Sequence, residues 1–521
     1  MKKFLSITLA LALMFSLFAG CSKTETETTA SGSSESGSEE TTAAGNIRTD
    51  IIIADSTDAS TMDPHNANDG YSARVFNNIY DSLVKQTADL DVEPCLAESW
   101  EYKSDTEIIF HLREGVKFHN GDELKASDVK FSIDRMVASP SVSSYFNKIS
   151  EVTVIDDYTV SVKTSEPFAP LLFNLGGTYG SIVSEKAITE AGDDYDKNPI
   201  GTGPMKFKEW AANDHITLVR NEDYWKGTPK TTSITIRVIP EDSSRTIALQ
   251  SGDVDFLQAT PSVDVARIEE DENLKLESFL SQSAVYMGFN CKKEPFDKVQ
   301  VRQAINHAIN KDAIIEVVLE GRGQAINTFL SPDMPGANNE INLYPYDVEK
   351  AKELLTEAGY PAGFKTTLAL SGDANNRAAQ LIQSDLAQIG IEVEINVMEF
   401  GALIDFLNGD SDMHIMSYGA AGNPDATCSN VFYSTSSSAS GNRCYYANTE
   451  ADKLIDQARS VMEWEDRDPI YKEVQEVIMQ DAPIVPLYVQ ETCYGMKAGM
   501  EGYVIYKSAK HDFTNAYVVE D

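Results

Sequence analysis

The side chains best suited to chemistry in this chain are six cysteines and seven histidines, and their spacing supports little of the chemistry they could do. Cys21, Cys95, Cys291, Cys428, Cys444 and Cys493 include no Cys-x-x-Cys pair. His65, His111, His119, His215, His307, His414 and His511 form no HExxH motif and no close ligand spacing, so no metal site is supported. The sequence contains no GxSxG elbow, no GxxxxGK phosphate loop and no GxGxxG fingerprint. Acid pairs such as Asp156-Asp157 are expected by chance among 81 acidic residues, and this pair reads as a turn. An enzyme would have no evident residue to act with, and no cofactor is implied. Cys428 and Cys444 flank a Ser-rich loop and could bridge, although spacing alone does not decide a pairing.

The amino terminus has a different character. Lys2 and Lys3 precede an apolar run from Phe4 to Phe18, with Ala19 and Gly20 before Cys21. This is the layout of an export signal, and the run is short of the ~20 residues that a bilayer span needs. The Ala-Gly-Cys ending resembles a bacterial lipobox, which implies cleavage after residue 20 and lipidation of Cys21. Such motifs prefer Leu three residues before the cysteine. Here Phe18 stands there and Leu17 is one step earlier. Residues 22–45 are almost all Ser, Thr, Glu, Gly and Ala, which cannot bury enough apolar surface to offset the entropy of ordering. They read as a tether that lets a folded body stand some tens of ångströms off a membrane.

The rest of the chain is long enough for two or more lobes. Its formal charge of −38, or −40 once Lys2 and Lys3 are removed, argues against nucleic acid or anionic lipid as the partner, because both need a basic footprint. From Ile51 to about Phe279 the pattern is mostly strands and hairpins. "VTVIDDYTVSVKT" alternates around Asp156-Asp157, and "MKFKEWAANDHITLVR" repeats the arrangement around Asn213-Asp214. "ASDVKFSIDRM" reads as a helix with Ser127 and Asp128 as candidate caps. After Tyr286 helices alternate with strands. One helix is expected from an Asp297-x-x-Gln300 capping box to Gly321, with His307 on its surface or in the core. Others are expected from Asp347 to Gly359, from Asn376 to Gly390, at 451–464 and at 469–480. "IEVEINV" alternates as a strand, and "APIVPLYV" reads as a strand returning to the first lobe. This order is α/β.

Six stretches in this order, "STMDPHNANDGYSARVFNNIYDSLV", "CLAESWEYKSDTEIIFHLREGVKFHNGDELKASDVKFSIDRM", "IGTGPMKFKEW", "LVRNEDYWKG", "GFNCKKEPFDKVQVRQAINHAINKDAII" and "YDVEKAKELLTEAGY", resemble the family 5 extracellular solute-binding proteins. These are the dipeptide, oligopeptide and nickel receptors of ABC importers. The resemblance covers essentially all of residues 46–521. It implies a two-lobed α/β fold of the periplasmic-binding-protein kind (type II, large peptide-binding class) with a hinge, closing on ligand and then docking on a permease with its ATPase subunits. The expected organisation is a leader at 1–20, a tether at 21–45, a first lobe at 46–282 with an inserted subdomain at about 62–200, a second lobe at 283–485, and a return to the first lobe at 486–521.

In peptide-binding members the ligand lies extended and pairs its backbone with a strand, while its side chains sit in loose, wet pockets. The matching strand is "HIMSYGAAGNPDATCSNVF", in which Ser417, Tyr418 and Gly419 would supply the pairing backbone. Peptide binders commonly place an Asp three residues after the aromatic, to meet the ligand's α-amine, and Ala421 stands there. Many also carry Asp-Pro-Asp just beyond, where this chain has Asn423-Pro424-Asp425. Either Asp425 or Asp63 takes the amine, or the ligand has no free amine at that point. Asp425 also reads as a capping acid. Tyr286 and Asn290 are given a cleft-lining or hinge role. The chain is thus expected to be a monomeric, membrane-tethered peptide receptor, with oligosaccharide or, third, nickel-chelate binding as alternatives within the family.

Overall fold

The structure is a computed structural model that describes residues 46–520 apart from 88–89, 410, 420–421 and 437–440. The expected leader, tether and lipidated Cys21, and the position of Ala421, lie outside the described residues.

An 11-stranded mixed sheet runs through the described body. Five of its strands position the site: β1 (Asp50–Asp55), β2 (Leu274–Phe289), β3 (Lys365–Leu370), β4 (Met413–Gly419) and β5 (Ile484–Lys497). Long β2 and β5 form an antiparallel ribbon at the centre. The Leu274–Leu280 half of β2 faces Glu491–Lys497 on the first-lobe side, next to Phe256–Leu257 and β1. The Ala284–Gly288 half faces Ile484–Val489 on the second-lobe side, next to β4 and β3. The register shifts between the halves, at Leu280/Ala284, and again beside Pro486. A proline in a central strand removes a ladder donor, so an irregularity belongs there.

The two sides have separate cores. Ile51, Ile53, Phe76, Leu218 and Phe256 anchor the first, while Met287, Phe289, Ile305, Leu368 and Val485 anchor the second. A further core, built on Phe110, Val129, Ile133, Val160 and Val162, lies within residues 83–182. There the four-stranded sheet runs 97–104, 107–112, 159–164, 149–156 in spatial order, packed by helix α1 (Ala126–Ala138). Both expected hairpins form, Ile149–Asp156 with Thr159–Thr164 and Met205–Ala211 with His215–Arg220, and Asn213 takes the left-handed backbone of the second turn.

Two expectations need correction. The helix foreseen from Asp297 to Gly321 is two, α2 (Val299–Ala308) and α3 (Lys311–Val318). The break at Ile309-Asn310 is stabilised locally: the Asn310 side chain accepts from the Ala313 N–H and caps α3, while the Asn310 N–H donates to Asp385 at 2.9 Å. Ser127 caps nothing at the start of α1. Lys125 is the cap residue, and Asp128 accepts its backbone N–H at 3.1 Å. Helices α4 (Thr449–Ser460) and α5 (Trp464–Asp481) complete the second lobe.

Candidate functional site

A cavity of about 950 Å³ opens mainly between residues of the 140–174 stretch and residues of the 418–460 stretch. Tyr145, Lys148, Glu166 and Phe168 line one wall, and Tyr418, Asp425, Asn430, Tyr433 and Arg459 line the other. Its volume is that of a pocket for a drug-sized or oligomeric ligand. A second cavity, about 80 Å³, lies inside the first lobe around Tyr80, Asp81, Lys85 and Asp512. It is wide enough for a few waters only. Two of its charged groups are engaged within the fold: Lys85 meets Asp512 at 3.1 Å, and Asp81 accepts from Thr202, Tyr224 and Trp225. The large cavity is therefore the candidate site.

The distinctive feature of its second wall is main chain. β4 pairs with β2 along its whole length, from Met413 opposite Phe289 to Gly419 opposite Ser283. On its other side it pairs with β3 only at Met413 and His414. Among the described residues no strand covers that edge from Ile415 onward. Ser417 and Gly419 are exposed and Tyr418 is half-buried, so an unpaired strand edge emerges beside the cavity. Such an edge is a template for an extended chain.

Polar side chains surround this edge. Asn430 donates to the Tyr418 hydroxyl at 2.7 Å, and the Tyr433 hydroxyl donates to Asp456 at 2.8 Å. Lys148 and Glu166 pair on the first wall, and the Lys148 hydrogen bond holds the Glu166 carboxyl below its ordinary range. Asp425 stands on the short helix Pro424–Thr427, where Asn423 caps by accepting the Asp425 N–H at 3.0 Å. Its carboxylate lies 2.9 Å from Arg459 Nε, yet the two are not aligned as a hydrogen bond, and both atoms retain bonding capacity. Burial raises the Asp425 carboxyl above its ordinary range, with Arg459, Arg467 and Ser429 acting in the opposite direction.

The walls touch. The Ala169 N–H donates to the Arg459 carbonyl at 2.8 Å, and the Arg459 guanidinium lies 5.5 Å from the Phe168 ring centre. Gly422 has φ +84°, and a Cβ there would stand 2.7 Å from Leu90 and 3.0 Å from Phe173. Glycine is required on both counts.

Of the residues expected from sequence, the structure brings Tyr418 and Asp425 together at the cavity, with Ser417 and Gly419 beside Tyr418 on β4. Asp63 is elsewhere: its carboxylate accepts from Arg135 at 2.6 and 3.2 Å, from the His65 N–H at 3.0 Å and from Asn66 at 2.9 Å, and it lines neither of the two cavities described above. Tyr286 is a core residue, 3% exposed, packed against the His414 ring, and not a cleft wall. Asn290 donates to the Ser411 carbonyl at 3.0 Å and is buried. His307 accepts its place in α2, bonded to the Pro345 carbonyl at 2.8 Å. Arg459, Lys148, Glu166 and Tyr145 were not singled out. They come from segments far apart in sequence, with no motif to mark them. Among the described residues no group of His, Cys, Asp or Glu could hold a metal ion.

Comparison with known proteins agrees with this architecture. Residues 91–440 match the family model described as "Bacterial extracellular solute-binding proteins, family 5 Middle". Heme-binding protein A of Haemophilus influenzae is 33% identical, over 82% of this chain and 84% of that protein. Glutathione-binding protein GsiB of Salmonella typhi is 30% identical, over 90% of this chain and 94% of that protein. The ABC transporter-associated periplasmic binding protein DppA from Helicobacter pylori, solved with the peptide STSA, superposes with a TM-score of 0.78 at 32% identity, covering 91% of this chain and 99% of that one. With an α/β body of the two-lobed kind, this chain belongs to the family 5 bacterial extracellular solute-binding proteins.

Proposed function

We propose that the chain captures short peptides in the interlobe cavity and delivers them to an ABC permease, and that it does so as a monomer held to the outer face of the cytoplasmic membrane by a lipid on Cys21. The observation that carries this reading is the uncovered edge of β4 at Ser417–Gly419, opening beside a cavity of about 950 Å³. An extended ligand would add to β4 as a further strand, so main-chain hydrogen bonds supply affinity whatever the ligand's side chains. Tyr145, Tyr418 and Tyr433 offer flat surfaces to those side chains, and the balanced pairs Lys148–Glu166 and Arg459–Asp425 suit a zwitterion. A DppA solved with a tetrapeptide and a relative named for glutathione support a peptide ligand. Asp425 is the acid we assign to the ligand's amine, because Asp63 has its partners within the first lobe.

The reading is tested by native mass spectrometry of the full chain, purified without denaturation from cells grown in rich medium. A ladder of heterogeneous adducts with the masses of short peptides is expected. A single sugar-like adduct, or an empty protein whose melting temperature ignores a peptide library, would sink the peptide reading in favour of an oligosaccharide stacked on the cavity's tyrosines.

A further inference from the structure

Two cysteines are neighbours in the core against which Tyr418 and Tyr433 also pack. Cys291 follows β2, and Cys444 precedes α4 at the end of the segment that carries Asn430 and Tyr433. The Cys291 N–H donates to the Cys444 carbonyl at 2.9 Å. Such a bond makes the two residues direct backbone neighbours, the proximity that a disulfide requires. The side chains converge too. The Cys291 thiol donates to the Phe289 carbonyl at 3.7 Å, and the Cys444 thiol lies by the backbone N–H of the same residue. Gly288 makes room for the second sulfur, since a Cβ at this residue would stand 2.8 Å from Cys444 Sγ. The pairing weighed from sequence was Cys428 with Cys444, whereas the backbone bond given above joins Cys444 to Cys291. In the structure described here all five thiols are free.

We propose that Cys291 and Cys444 are a disulfide site, oxidised by thiol–disulfide exchange with an external disulfide, either an oxidised dithiol carrier or a small-molecule disulfide. Half-buried Cys291 is the accessible partner. It gives its proton to water, and its thiolate attacks one external sulfur and releases the other as a thiol. Cys444 then displaces the remaining external sulfur, giving up its own proton. Two protein S–H bonds and one external S–S bond are broken; one protein S–S bond and two external S–H bonds are made. The two electrons lost by the protein sulfurs reduce the external disulfide. Burial pushes the Cys291 thiol up to about 11, which slows exchange in the folded chain, so the bond is made as the fold closes and is then protected. Its effect is to fasten the wall segment to the end of β2 and to close a loop of roughly 150 residues, which constrains the unfolded chain strongly.

The test is thiol mapping of the full chain produced through an export pathway and exposed to excess oxidised glutathione during refolding. Free thiols are alkylated under denaturing conditions and the digest is analysed by mass. The expected result is a Cys291–Cys444 linked peptide, two hydrogens lighter than its parts, with Cys95, Cys428 and Cys493 alkylated. Alkylation of both Cys291 and Cys444, or a link from Cys444 to Cys428, overturns the proposal. As a second measurement, a strong reductant is expected to lower the melting temperature of the oxidised protein by several degrees and to leave Cys291→Ala unmoved. An oxidised protein indifferent to reductant would overturn the fastening role.

Discussion

Asp63 and Asp425 are equally buried, each 4% exposed, and each sits beside an arginine, yet their surroundings differ in kind. Asp63 is saturated: both oxygens are met by Arg135, with a backbone N–H and an amide completing the shell. Asp425 has one close but misaligned arginine, an oxygen without a hydrogen bond, and a cavity in front of it. Burial of a carboxylate therefore does not separate a saturated structural acid from the one we propose for the ligand. Unused hydrogen-bonding capacity facing open volume does.

Removing Asp63 should break the contrast on the stability side. Asp63→Ala leaves Arg135 partly buried without its partner, a loss of about 3–5 kcal/mol. Calorimetry should show it, while the fraction that remains folded binds peptide as before. An unchanged melting temperature would mean that the ion pair is not the role of Asp63. Gly422→Val acts on the approach of the two walls. The added side chain meets Leu90 and Phe173, and overpacking of this sort costs about 1–3 kcal/mol, so peptide affinity should fall roughly tenfold to a hundredfold. Isothermal titration against a defined tetrapeptide reads this directly, and wild-type affinity would show that the contact is not needed for binding.

Asp425→Asn sharpens the comparison from the other side. With the amine's partner lost, affinity for a free-amine peptide should drop about tenfold, and that for its N-acetylated form hardly at all. The pH dependence has a definite sign. Burial raises the folded-state carboxyl above its unfolded value, so ionisation destabilises the fold as pH rises from the ordinary carboxylate range through the raised one. Amine binding needs the ionised form. Wild-type affinity should therefore be lost as pH falls, beginning above the usual carboxylate value of about 4, and the Asn variant should show no such slope. A slope shared by both proteins would assign the titration to another group. The smallest effect is expected of Tyr418→Phe, which removes the hydroxyl that accepts from Asn430 and should cost about 1 kcal/mol of stability, measured by denaturant titration.

What could be read from sequence was local. The hairpin at 149–164 was legible because alternation and an Asp-Asp turn coincide in sixteen consecutive residues. Asp347 and Gly359 bracketed their helix because capping chemistry is a matter of three or four positions. The α2–α3 break was missed although its Asn310 cap is local; only the bond from the Asn310 N–H reaches a distant group, Asp385, 75 residues away. The same holds at the site. Tyr418 and Asp425 lie close in sequence and were found together, whereas the partner of Asp63 is 72 residues distant and Arg459 enters from a helix with no motif of its own. Cys444 found its neighbour at Cys291, across the β2 end, for the same reason.

The central ribbon has a thermodynamic consequence. In a protein whose lobes are joined by loops, each half can lose its structure while the other persists. Here β2 and β5 belong to the sheet on both sides, so melting either core frees one end of the strands that complete the other. The lobes are therefore expected to unfold together in one cooperative transition, even though their cores are separate.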